Sequence, residues 1–90
     1  MNDVELKERW ARDGFSCELW IDPPGQTWEG YVHDVDEVVC VESGTVEFEI
    51  GDVKKRLCSG DEAFIPARVN HSVRNVGGTT ARWYYGYRSH

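Results

Sequence analysis

Apolar and polar residues alternate most cleanly over Thr45–Ile50, where Val46, Phe48 and Ile50 fall on one face and Thr45, Glu47 and Glu49 on the other. A period of two predicts a strand with one buried and one wet face. Lys54, Lys55 and Arg56 follow on the next run, where they could pair with Glu47 and Glu49 across a hairpin. The closing run Ala81–Tyr87 also alternates, with Trp83, Tyr85 and Tyr87 on one side and Arg82 and Tyr84 on the other. Its rings are expected in a core or at a dimer interface. Pro23-Pro24-Gly25, Glu42-Ser43-Gly44, Gly51-Asp52, Ser59-Gly60-Asp61 and Gly77-Gly78 punctuate these runs. Such turn clusters at intervals of roughly eight to twelve residues predict a sandwich or barrel. Before Gly14 the period changes. Leu6 and Trp10 share a helical face, Asn2 and Glu5 have capping-box spacing, and Glu5/Arg9 and Glu8/Arg12 are i,i+4 pairs. The pattern predicts a helix within residues 1–13, lying on the outside of the domain or across a dimer partner, and strands over 15–88.

Composition narrows the picture. With 90 residues the chain forms one domain, and a domain of this size buries only about 60 to 65% of its unfolded surface, so a homodimer is expected. A formal charge of -6 with no basic run argues against nucleic acid or an anionic membrane as partner. No basic-then-apolar leader and no membrane-length apolar stretch is present, which points to the cytoplasm. Cys17, Cys40 and Cys58 contain no C-x-x-C pair and read as reduced, mostly buried thiols without a catalytic role. The glycines sit at hairpin turns, so no nucleotide, flavin or phosphate loop is visible.

Candidate chemistry lies at Tyr31, His33, Glu37 and His71. On a strand Tyr31 and His33 share a face, and Glu37 keeps that parity if the strand continues. His71, Val73 and Asn75 share a face of Asn70–Val76. A lone inward histidine is usually a satisfied core group, but two with a carboxylate suit a first-row divalent metal and leave coordination positions open. A buried Glu37 without metal or partner would be costly.

The spacing also resembles a known family. Gly25, Tyr31, His33, Glu37 and Gly44 fall on the places of the first cupin motif: a glycine, a His-x-His pair, a glutamate and a glycine. Gly60, Pro66, His71 and Asn75 fall on those of the second. The resemblance implies an all-β, antiparallel double-stranded β-helix (jelly-roll) barrel, a small single-domain cupin of the RmlC-like kind. It further implies that His33, Glu37 and His71 hold iron, manganese, nickel or zinc. Two residues depart from the motifs. Tyr31 replaces the first ligand histidine, and ionising a phenol of pKa near 10 at pH 7 costs roughly 4 kcal/mol, so Tyr31 is better suited to donate a hydrogen bond or carry a proton. Arg68 replaces a glycine expected in a turn conformation near the barrel mouth. Its guanidinium could reach a substrate carboxylate, or it is a surface group paired with Asp61, Glu62 or water. Trp28 is expected at the pocket entrance. His90 is either a free end or part of a site in a partner subunit.

Cupins include dioxygenases, isomerases, decarboxylases, lyases and non-enzymatic binders. The expectation here is a metal-dependent enzyme acting on a small polar metabolite. The alternative is a metal-free small-molecule binding or sensor module using the same barrel mouth.

Overall fold

The computed structural model describes residues 2–89; the expectation about His90 lies outside them. One helix, α1 (Asp3–Arg12), precedes eight strands: β1 (Glu18–Asp22), β2 (Thr27–Tyr31), β3 (Glu37–Ser43), β4 (Val46–Ile50), β5 (Val53–Leu57), β6 (Glu62–Ile65), β7 (His71–Asn75) and β8 (Ala81–Tyr87). They form two four-stranded sheets, β1-β8-β3-β6 and β2-β7-β4-β5, antiparallel throughout. This is the jelly-roll order, in which successive strands mostly cross from one sheet to the other.

The alternations read in the sequence are the inward and outward faces of these sheets. Val39 and Val41 from β3, Val46 and Phe48 from β4, and Trp83 from β8 meet in the core. Phe48 and Trp83 pack edge to face at 5.5 Å. The outer faces are also used. Cys40 and Tyr84, paired across β3 and β8, are covered by Leu6 and Trp10 of α1 together with Phe15. The helix thus lies on the chain's own sheet. Asn2 caps it, its side-chain oxygen accepting the N–H groups of Val4 and Glu5.

Two charge pairings differ from the sequence reading. The Arg9 fork goes to Glu62 of β6, at 3.1 and 2.6 Å, instead of to Glu5. Glu47 and Glu49 both accept from Arg74 of β7, which also takes Glu29 of β2. Glu47 does stand opposite Arg56, and Glu49 opposite Lys54, but one arginine among three carboxylates makes shorter, forked bonds than lysines at a sheet edge. The cysteines are likewise less uniform than expected: Cys40 is buried, Cys17 half-buried and Cys58 exposed. Burial pushes the Cys40 thiol up to about 11 and raises that of Cys17, so neither is a ready thiolate.

Gly86 is where helix and sheet meet most closely. A Cβ there would collide with the Ser16 carbonyl oxygen and lie 3.1 Å from the Trp10 ring. Gly86→Ala is expected to destabilise the fold by about 2 kcal/mol through overpacking. For a domain this small that lowers the melting temperature by roughly 8 to 16 °C, measurable by circular dichroism. An unchanged melting temperature would mean that α1 is not seated on β8 as described.

Candidate functional site

His33, Glu37 and His71 come together, but not along one strand. β2 ends at Tyr31 and β3 begins at Glu37, in different sheets, so His33 lies in the crossover between them. The expected shared parity of Tyr31, His33 and Glu37 is therefore not the cause of their convergence. β2 loses regular register between Trp28 and Tyr31, where Gly30 adopts φ 72° and gives its N–H to Ser72 Oγ at 3.0 Å. Such an irregularity bends the strand locally just before the chain crosses to the other sheet. The crossover is then pinned from the β6–β7 turn. Arg68 N–H donates to the His33 carbonyl at 2.6 Å, and Ala67 N–H to Asp36 Oδ1 at 2.8 Å.

Glu37 is the first residue of β3 and His71 the first of β7. Each is 4% exposed. Glu37 Oε1 lies 3.5 Å from Nε2 of both His33 and His71, and the three candidate ligand atoms lie within 4.8 Å of one another. Glu37 Oε1 is buried without a hydrogen-bond partner, a condition that costs several kcal/mol for a charged oxygen unless something supplies positive charge. Burial correspondingly raises the Glu37 carboxyl to about 7, and burial lowers the pKa of His71. His71 Nδ1 lies 3.2 Å from the Val69 carbonyl. Donation there leaves Nε2 as a lone-pair donor toward Glu37. A divalent ion fits this set. Two imidazole nitrogens and a carboxylate oxygen within 4.8 Å of one another are a donor set that suits such an ion, and it would supply the positive charge that Glu37 Oε1 lacks.

The cluster opens into a cavity of about 300 Å³. Trp28 and Tyr31 line it. Tyr31 stands opposite His71 in the β2–β7 register with its ring centroid 6.5 Å from the imidazole, and it is 42% exposed, so it belongs to the mouth. Arg68 does not reach the cavity. It is exposed, and its backbone takes the left-handed turn conformation, φ 63°, that the sequence assigned to the replaced glycine. Its contribution to the site is the peptide N–H on His33.

The sequence reading did not place Trp20, Trp83, Tyr85 and Tyr87 at the site; all four line the cavity. The shared face of the last three was visible as alternation, but its target was not. Tyr87 Oη is 3.4 Å from His33 Nε2. Burial first, then the neighbouring Glu37 and Tyr85, push its hydroxyl up to about 12, so it stays protonated and can donate a hydrogen bond. Asp22 was also missed. It is 2% exposed and accepts three indole N–H groups, from Trp20 at 2.9 Å and Trp28 at 3.1 Å on Oδ1 and from Trp83 at 3.0 Å on Oδ2. One carboxylate thus fixes three walls of the cavity. Asn75, the last residue of the second motif, is saturated in turn. Its amide nitrogen faces the carbonyls of Asp22, Pro23 and Thr79, and its oxygen accepts Gly77 N–H.

Among solved structures the chain is similar to the cupin domain of Schizosaccharomyces pombe Cnp3, with TM-score 0.79 and 18% identity over 86% of this chain and 57% of that one. It is similar to TT1209 from Thermus thermophilus, with TM-score 0.73 and 24% identity over 98% and 96% of the two chains. An oxalate oxidase in complex with the substrate analogue glycolate matches with TM-score 0.77 and 25% identity, over 84% of this chain and 42% of that one. The chain therefore spans less than two thirds of the length of the first and third of these relatives. A search of curated proteins returns no match. No described helix is long and apolar enough to cross a membrane. The Cupin domain family, Cupin_2, matches residues 18–87, the span that carries both sheets and every cavity-lining residue, and the chain belongs to that family.

Proposed function

We propose that this cupin binds a divalent metal through His33, Glu37 and His71 and acts there on a small oxygen-bearing metabolite. The observation that carries the reading is the buried, unpartnered Glu37 Oε1 between two imidazole nitrogens. A bound ion supplies Lewis acidity to a substrate oxygen. The protein's own residues do the rest. The two sheets exclude water from one side of the cluster, Tyr87 presents a proton beside His33, and Tyr31 offers a second hydroxyl at the mouth. Of the two, Tyr87 is the better placed to donate, because it is held against the cluster while Tyr31 is solvated. The likeness to an oxalate oxidase holding glycolate supports a small oxygen ligand in this cavity.

The test is elemental analysis of untagged protein purified without chelator. Stoichiometric metal is expected, and it should be lost in His33→Ala and His71→Ala variants that keep the wild-type circular dichroism spectrum. Protein that stays metal-free after reconstitution would overturn the reading in favour of a binding module that uses the cavity without an ion.

A further inference from the structure

We propose that the aromatic end of the cavity is a cation site, and that the ligand is a small zwitterion. Its methylated ammonium would sit among Trp20, Trp28, Tyr31 and Tyr85, and its carboxylate would face His33, Glu37 and His71. The carboxylate half rests on the metal reading above; the cation half rests on the rings alone.

Ring geometry is the first support. Trp20 meets Trp28 at 5.8 Å and 72°, and meets Tyr85 at 6.3 Å and 71°, while Trp28 meets Tyr31 at 6.5 Å and 63°. Steeply inclined rings form a box with several π faces, which suits a compact cation. A planar guest would want a parallel slot. Charge is the second support. Among the described residues no lysine or arginine lines the cavity, so an anionic group has no countercharge away from the cluster.

Asp22 is the third and most specific support. Its carboxylate lies behind the box and accepts the N–H of Trp20, Trp28 and Trp83. An anion at the N–H edge pushes electron density onto the indole faces, and hydrogen-bonded groups in a low-dielectric setting polarise one another. The faces are thereby made more attractive to positive charge than those of free indoles.

Two probes of nearly one shape separate charge from size: glycine betaine and 3,3-dimethylbutanoate, in which carbon replaces the ammonium nitrogen. Both would be titrated by intrinsic tryptophan fluorescence into metal-loaded and into chelator-treated protein. The betaine is expected to bind roughly tenfold tighter in both states, as a partly desolvated cation–π contact provides. Trp20→Leu should bring the ratio to about one, and so should Tyr85→Leu, which leaves the indole bonds to Asp22 intact should the first variant fail to fold. Equal affinities, preference for 3,3-dimethylbutanoate, or no binding of either overturns the cation site. Failure of the metal reading looks different: both affinities are then the same with and without metal, while their ratio persists.

Discussion

Asp22→Ala is expected to cost about 3 kcal/mol and to lower the melting temperature by roughly 12 to 24 °C. The carboxylate accepts three indole N–H groups from β1, β2 and β8, so its removal leaves three donors to find partners at once. Trp83 is 6% exposed and its N–H bond to Asp22 is buried, whereas Trp20 at 40% can be rehydrated. The total therefore stays below three full desolvation penalties of about 1 to 3 kcal/mol each. Asp22→Asn keeps the shape but turns an amide nitrogen toward at least one indole, and should cost about half as much. Urea unfolding measures both. A loss below about 1 kcal/mol for the alanine variant would mean that all three indoles regain water, and that Asp22 does not organise the cavity wall.

The opposite sign is expected at Glu37. In the metal-free protein Glu37→Gln should stabilise the fold at pH 8 by about 3 kcal/mol. Burial raises the carboxyl from 4.5 to about 7, so the folded state binds more protons than the unfolded one across that window. Stability is then fully present below pH 4.5 and lost as pH rises through 7, in an amount of about 2.5 units at 1.36 kcal/mol each. His71 works against this from below. Its lowered pKa means stability is lost as pH falls beneath 6.5, so wild-type stability should peak on the acidic side of neutrality. Chelator-treated wild type and Glu37→Gln, unfolded in urea from about pH 5 to 8, should differ mainly in the alkaline limb. A wild-type protein whose stability does not fall above about pH 6 would contradict the description of Glu37 as a buried, unpaired carboxyl. A bound divalent ion reverses the effect, because it needs the ionised carboxylate that the empty fold resists. The same residue is then a liability to folding and an asset to binding, as functional carboxylates often are.

What could be read from the sequence followed the range of each interaction. The strands, the turn at Gly44 and the helix with its Asn2 cap depend on residues a few positions apart, and their alternation and spacing place them. His33, Glu37 and His71 were identified as a set by motif spacing. A single continuous strand is not the cause of their convergence, because β2 ends at Tyr31 in one sheet and β3 begins at Glu37 in the other. Arg74 was passed over because the partner of Glu47 and Glu49 is decided by which strand lies alongside β4. Both β5 and β7 do, and sequence order names only the first. Trp20, Asp22, Tyr85 and Tyr87 were missed for the same reason in stronger form. Their roles appear only when β8 pairs with β1, Glu18 opposite Tyr85, and with β3, Glu37 opposite Tyr87. Arg68 shows the converse. The turn conformation of its backbone was inferred correctly from the replaced glycine, whereas its long side chain, free to choose, went to solvent.

The β1–β8 pairing also sets when the site can exist. The long loop between positions 20 and 85 must be closed before Trp20 finds Tyr85, and contacts of such sequence separation form late and slowly. Until β8 is in place the cavity lacks Trp83, Tyr85 and Tyr87, whereas His33, Glu37 and His71 all precede β8 in the chain. The rings that close the cavity opposite Trp20 and Trp28 are therefore supplied last, and a chain frayed at β8 would lose them while keeping the residues of its polar cluster.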